Sequence, residues 1–202
     1  MQFVNFTIGI MSHNEAKNIG TLLTSLVNQT YWKNISKIIV ISSGSTDGTD
    51  NIVKSFSRKY SKITLVKERK RLGKAHAVNT FLSMIKDEIL VLMSGDLIPK
   101  KKTLEYLLKH FRNVKVGIVG VRPVPLNKKD TFMGFAVHLL WDLHHHISLS
   151  HPKMGEMIAF RRIFQKITVL SAVDEVNIES LIRGQGYKAI YEPKAIVYNR
   201  GP

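Results

Sequence analysis

Two rhythms of apolar residues run along this chain. Short apolar runs at Phe3–Ile10, Lys37–Ser42, Lys62–Val66 and Glu88–Met93 predict buried strands. Between them the apolar positions fall at helical spacing. One helix is expected from a cap at Asn14 to about Gln29, with Ile19, Leu22, Leu23, Leu26 and Val27 as its inner face. Others are expected from the turn Ser42–Gly48 to near Tyr60, from about Gly73 to Lys86, and from about Lys101 to Arg112. This strand–helix alternation predicts a parallel sheet covered on both faces. Past Val116–Val121 the pattern becomes mixed. Helices are expected at Thr131–Ile147 and Asp174–Arg183, and strands at Glu156–Phe160, Tyr187–Tyr191 and Ala195–Tyr198. Ligands of open α/β sheets bind beyond the carboxyl ends of strands. That rule puts Ser12–Glu15, Ser42–Asp47 and Ser94–Asp96 on one rim.

Composition narrows the chemistry. The 202 residues contain no cysteine, which excludes disulfides, thiolate metal sites and cysteine nucleophiles. Lys and Arg outnumber Asp and Glu by 30 to 15, a net charge of +15, so an anionic partner is expected. Nucleic acid, an anionic membrane surface and a phosphorylated small molecule all fit that charge. The N-terminal segment has no signal-peptide pattern, and no run approaches the about 18 apolar residues that span a bilayer. A cytoplasmic location is therefore expected.

Several motifs carry candidate chemistry. There is no Gly-x-Gly-x-x-Gly after the first strand, no phosphate-loop motif and no Gly-x-Ser-x-Gly elbow. The turn Ser42–Gly48 lets backbone approach a ligand, with Asp47 able to accept from a ribose or base; its plainer reading is a helix cap by Ser45 or Asp47. Arg69–Lys74 precedes a helix, where Lys74 and the helix start suit a diphosphate; a solvated basic turn is the commoner fate. Asp96, at the end of an apolar strand, suits a divalent cation that bridges phosphate oxygens. Asp174 and Glu175 open a helix, either for its dipole or as a general base across the site. His138, Asp142 and His145 or His146 share one face of the 131–147 helix, opposite an apolar stripe of Phe132, Phe135, Leu139, Leu143 and Ile147. The favoured reading there is an exposed polar face.

Taken in order, IGIMSHNEAKNIGTLLTSLVNQ, IIVISSGSTDGT, RLGKAHAVNTFLSM, ILVLMSGDLIP, GEMIAFRR and DEVNIESLIRGQGYKAIYEPKAIVYNRGP resemble family 2 glycosyltransferases. The resemblance implies a GT-A fold, the α/β fold of nucleotide-diphospho-sugar transferases, with a mostly parallel central sheet flanked by helices. It implies one domain over residues 1–202, with a nucleotide-sugar half at 1–96 and an acceptor half at 97–202. The implied activity is inverting transfer of a sugar from a UDP- or GDP-sugar donor to a hydroxyl of a lipid-linked or polysaccharide acceptor.

On that resemblance Ser12, Asn14, Glu15, Ser43, Gly44, Asp47, Arg71, Lys74, Ser94 and Asp96 would bind the donor. Asp96 would hold Mg²⁺ or Mn²⁺ as the last Asp of the family's Asp-x-Asp, whose first position is Ser94 here. Gly155, Glu156 and Arg161 would face the acceptor. Glu175 would be the catalytic carboxylate and Asp174 its neighbour. The family also implies a peripheral membrane contact, with the 131–149 helix approaching anionic lipid, and no nucleic acid is expected. The sequence ends before the Gln-x-x-Arg-Trp segment of many processive members, which fits a short non-processive enzyme or a fragment. The alternatives are a nucleotidyltransferase on a related sheet, or an inactive nucleotide- or nucleic-acid-binding module.

Overall fold

The structure is a computed structural model and describes residues 5–169 and 174–199. The parts of the predicted first strand at Phe3 and Val4, and the end at Gly201 and Pro202, lie outside them. Strands β1 (Phe6–Ser12), β2 (Ile35–Ser43), β3 (Ile63–Glu68) and β4 (Ile89–Ser94) alternate with helices α1 (Ile19–Val27), α2 (Thr49–Lys59) and α3 (Lys74–Met84). Then follow β5 (Ile98–Pro99), α4 (Thr103–Leu108), β6 (Val116–Pro125), α5 (Phe132–Ser150), β7 (Met157–Arg161), α6 (Asp174–Gly184) and β8 (Lys188–Asn199). All eight strands join one sheet in the order β3-β2-β1-β4-β7-β6-β8-β5. The first four pair in parallel, and β7 is inserted antiparallel between β4 and β6.

The strands read as continuous apolar runs because both faces are covered. Successive residues point to opposite sides. Ile8, Ile38, Val40, Val91 and Ala159 meet Leu22, Leu26, Val53 and Leu107 from α1, α2 and α4. Ile39, Ile41, Leu90, Leu92, Ile158 and Phe160 meet Val78, Phe81, Leu82, Ile178 and Ile182 from α3 and α6. The sheet is therefore a two-sided core, and its carboxyl rim is left for polar side chains.

Three expectations need correction, and one short strand was not expected. Asn14 does not cap α1: it sits at φ 56°, and the helix begins after Asn18. Its side chain instead accepts from the Thr46 backbone N–H at 2.8 Å. Tyr187–Tyr191 and Ala195–Tyr198 are one strand, β8. Pro193 removes a ladder donor, so the pairing with β6 skips from Glu192 to Ile196 at a bulge. The two-residue β5 has too few residues for an apolar pattern to show.

The third correction is the orientation of α5, where the expected apolar inner stripe is exposed and only part of the expected outer face, Asp142 and His146, is exposed with it. Its buried positions are Gly134, Val137 and Ser148, while Phe132, Phe135, Leu139, Leu143 and Ile147 are exposed. His138, His144 and His145 turn inward and are half-buried, while Asp142 and His146 stay exposed. His145 Nδ1 pairs with the Tyr191 hydroxyl at 2.8 Å, and His138 Nε2 with the Asn127 carbonyl at 3.0 Å.

Candidate active site

A cleft of about 280 Å³ opens at the carboxyl rim of β1, β2 and β4. Its lining includes Ser12, His13, Glu15, Ser43, Arg71, Lys74, Ser94, Asp96 and Glu156. The parallel strands end together there, and β7 enters antiparallel. Because Met93 pairs with Met157, the register continues to set Glu156 opposite Ser94. A carboxylate thus stands across from the position where the family motif has its first Asp.

The loops after β1 and β2 are tied to each other. His13 Nδ1 lies 2.6 Å from the Ser43 carbonyl, the Asn14 N–H donates to Ser45 Oγ, and the Glu15 N–H donates to Thr49 Oγ1 at 2.8 Å. Asp47 is consumed in this lacing. Its carboxylate accepts from the Ala16 N–H at 2.8 Å and from Thr49 N–H and Oγ1, and the Thr49 bonds hold its pKa below the ordinary value. Asn14, Gly44 and Asp47 therefore shape the rim and lie outside the cleft lining. Glu68 is the hub behind it, accepting from Ser43 Oγ and Thr80 Oγ1 and pairing with His76 Nδ1 at 2.8 Å.

The opposite wall is acidic. Burial, and then the neighbouring Asp96 charge, push the Glu156 carboxyl above its ordinary pKa. Burial likewise raises Glu15, and Asp96 and Asp47 add to the shift. Asp174 is buried, which raises its pKa against the lowering effect of Lys74. Lys74 Nζ, at the start of α3 and in the cleft lining, donates to Glu175 Oε1 at 2.6 Å; Glu175, like Asp174 and Gly155, is itself outside the lining.

Among the described residues no group of three or more His, Asp or Glu could hold a metal unaided. Yet Asp96 Oδ1 and Ser12 Oγ are buried without a hydrogen-bond partner, and both face the cleft. That donor set fits a hard cation held by one carboxylate and completed by phosphate oxygens and water.

Arg161 is misplaced by the sequence reading. It lies at the other end of β7 from Glu156, about 16 Å away at strand rise. Its guanidinium is buried, donating to the Val116 carbonyl at 2.9 Å and the Phe111 carbonyl at 2.8 Å and pairing with Glu88. It fastens a turn and touches no part of the cleft. The reading also passed over His13, whose signal was only its place beside Asn14 and Glu15 after a buried strand.

A rim cleft with basic and acidic side chains and two unpartnered oxygens is where an open α/β sheet would take a ligand. Residues 7–171 match the family model for glycosyl transferase family 2, and the chain belongs to that family. Glycosyltransferase AglE of Haloferax volcanii is 32% identical over 120 residues, covering 59% of this chain and 39% of the relative. A beta-monoglucosyldiacylglycerol synthase of Nostoc sp. is 27% identical over 128 residues, covering 62% of this chain and 27% of the relative. The chain thus spans well under half the length of these relatives.

Mannosyltransferase PcManGT of Pyrobaculum calidifontis, solved with GDP-Man and Mn²⁺, superposes with a TM-score of 0.81 at 26% identity, over 100% of this chain and 58% of that one. Glucosyl-3-phosphoglycerate synthase of Mycobacterium tuberculosis shares the fold, with a TM-score of 0.69 at 17% identity over 98% of this chain and 73% of that one. The fold is GT-A.

Proposed function

We propose that this chain carries the donor and acceptor sites of an inverting glycosyltransferase acting on a nucleoside-diphosphate sugar. The acceptor in this reading is a hydroxyl of a lipid-linked or polysaccharide substrate at the cytoplasmic face of a membrane. Residues 1–96 take the nucleotide sugar, and residues 97–202 supply the acceptor wall. The observation that carries the reading is the Lys74–Glu175 pair, whose lysine lines the cleft that also holds the unpartnered Asp96 oxygen.

The chemistry follows from charge. The anomeric carbon–oxygen bond breaks as the acceptor oxygen attacks from the opposite side, and the nucleoside diphosphate leaves with added negative charge. Arg71 and Lys74 face that charge and stabilise it as it develops. Asp96, with Ser12 nearby, would hold Mg²⁺ or Mn²⁺, which supplies Lewis-acid neutralisation of the diphosphate when bound. The acceptor hydroxyl must lose a proton, and Glu175 Oε1 accepts it in this assignment. An incoming diphosphate competes with Glu175 for Lys74, so donor binding frees the base. Asp174, the buried neighbour of Glu175 whose carboxyl burial pushes above its ordinary pKa, positions it.

Nucleoside-diphosphate release from a panel of GDP- and UDP-sugars with Mn²⁺ tests this. GDP-mannose comes first, because PcManGT holds it. Glu175→Gln should lower turnover about 10²–10⁴-fold. Asp96→Ala should remove the Mn²⁺-dependent part of the thermal shift given by excess nucleoside diphosphate. Unchanged turnover in both variants sinks the assignment, and pyrophosphate release from a nucleoside triphosphate favours the nucleotidyltransferase.

A further inference from the structure

The cation site described so far has a single carboxylate, Asp96. The first position of the Asp-x-Asp is Ser94, whose hydroxyl carries no charge. The sheet brings a second carboxylate to the same place from far along the chain.

That carboxylate is Glu156. Strands β4 and β7 run antiparallel, and one step beyond the Met93–Met157 pair puts Glu156 opposite Ser94. Residues directly opposite in such a pair project to the same face, with Cβ atoms about 4.5–5.5 Å apart. Leu92 and Ile158, paired two steps back, both lie in the core beneath α3 and α6. Ser94 and Glu156 therefore project to that side as well, and both line the cleft with Asp96. A glutamate there is one methylene longer than an aspartate. It reaches the space that a carboxylate at position 94 would fill.

The groups at this point lack a partner. Asp96 Oδ1 is buried and unpartnered, and so is Oγ of Ser12, a residue only 4% exposed. Gly95 lets the turn close on that hydroxyl: a Cβ there would lie 3.2 Å from Ser12 Oγ. The Glu156 carboxylate accepts one hydrogen bond among the described residues, from Asn199 Nδ2 at 3.5 Å. It lies close enough for the Asp96 charge to act on it. Two other groups are already engaged: Lys74 is held by Glu175 at 2.6 Å, and Glu15 accepts from Asn18 Nδ2 at 2.8 Å. Neighbouring carboxylates disfavour each other's charge, and a diphosphate brought to this wall would add to the repulsion.

We propose that Glu156 stands in for the missing first carboxylate and holds the divalent cation jointly with Asp96, with Ser12 Oγ at the same point. The donor set then comes from the cleft ends of β1, β4 and β7. Two carboxylates, a hydroxyl, phosphate oxygens and water suit Mg²⁺ or Mn²⁺. Asn199, buried at the end of β8, orients Glu156 from behind. This assignment moves Glu156 from the acceptor to the donor side. It rests on the donor-site reading for the phosphate oxygens, so its test reads metal binding without any sugar donor.

The probe is Mn²⁺ alone, titrated into the concentrated chain and followed by the electron paramagnetic resonance signal of the free ion. The wild-type chain should remove that signal. Loss of an outer-shell partner costs about 10–100-fold in metal affinity, so Glu156→Gln and Asp96→Asn should each weaken binding at least about tenfold. Glu156→Asp, which keeps the charge but shortens the reach, should fall between Glu156→Gln and wild type. Ser94→Asp should restore binding to the Glu156→Gln chain and fail to restore it to the Asp96→Asn chain. The proposal is overturned if wild type takes up no Mn²⁺, if Glu156→Gln or Glu156→Asp binds as wild type does, or if Ser94→Asp rescues neither chain. Failure to turn over any sugar donor would leave this binding pattern standing and count only against the transferase reading.

Discussion

Helix α3 lines the cleft, helix α5 backs the Gly155 segment beside it, and the two treat their apolar residues in opposite ways. Helix α3 buries Ala75, Ala77, Val78, Phe81 and Leu82 and holds Lys74 at its first turn, over the cleft. Helix α5 buries Gly134, Val137 and Ser148 and turns its large apolar side chains out. Both sequences carry an apolar stripe at helical spacing. Periodicity states which residues share a face; the surface opposite decides which face turns in. Beneath α3 lie Ile39, Ile41 and Leu90, and beneath α5 lie Tyr191 and the Asn127 carbonyl.

The largest expected effect comes from the first helix. The Phe81 ring is fully buried and presses on β1 so closely that a Cβ at Gly9 would lie 2.8 Å from it. Phe81→Ala should cost about 3–5 kcal/mol, read as a fall in the denaturant midpoint. A loss below 1 kcal/mol would mean that α3 is not the anchored helix of the pair. On α5 the seat is one glycine. Gly134→Ala must push the Lys128 carbonyl aside and disturb the Thr131 cap, whose Oγ1 accepts from the Gly134 N–H at 3.0 Å. A loss of about 1–3 kcal/mol is expected, in the range of overpacking.

The contrast also explains what was legible in the sequence. Strands β1–β4 and the rim were readable because a doubly covered parallel sheet leaves little freedom: four apolar runs must be buried, and their carboxyl ends must face one side. Ser94 and Asp96 followed from that rule, and Lys74 from its place at a helix start. Arg161 did not, because the contiguous stretch GEMIAFRR becomes a strand whose two ends reach opposite edges of the sheet. Asp47 looked like a ligand-facing carboxylate, but its partners Ala16 and Thr49 come from two different loops, and no local pattern announces that pairing. The polarity of α5 was illegible for the same reason: it depends on Tyr191, far along the chain.

A smaller effect separates the carboxylates that the two helices attend. Glu175 is paired with Lys74 of α3, whereas Glu156, beside the segment that α5 backs, is half-buried near Asp96 with Asn199 Nδ2 at 3.5 Å. The folded-state pKa of Glu156 lies above its ordinary 4.5. As pH rises through 4.5 the unfolded chain ionises first, so this group lowers stability there, and the deficit persists at neutral pH. Glu156→Gln should therefore raise the melting temperature of the ligand-free protein at neutral pH and change it little at pH 4 and below. A fall at neutral pH would show that the carboxylate is satisfied in the fold, which would remove the strain expected of a functional position.

The smallest expected effect bears most directly on the difference between the helices. Leu139→Ala and Leu143→Ala remove the same kind of side chain that α3 cannot lose, yet both leucines are about half exposed. Each should shift stability by no more than about 0.5 kcal/mol without lipid, because little apolar surface returns to water. Chemical denaturation checks this at two protein concentrations. A loss of about 2 kcal/mol or more, the value for a buried leucine, would mean that another surface already covers the stripe. If that loss grew with concentration, the cover would be a second copy of the chain, and the membrane would lose its claim on the helix. A negligible loss leaves α5 stable on its inner contacts alone, with its apolar face still to be covered.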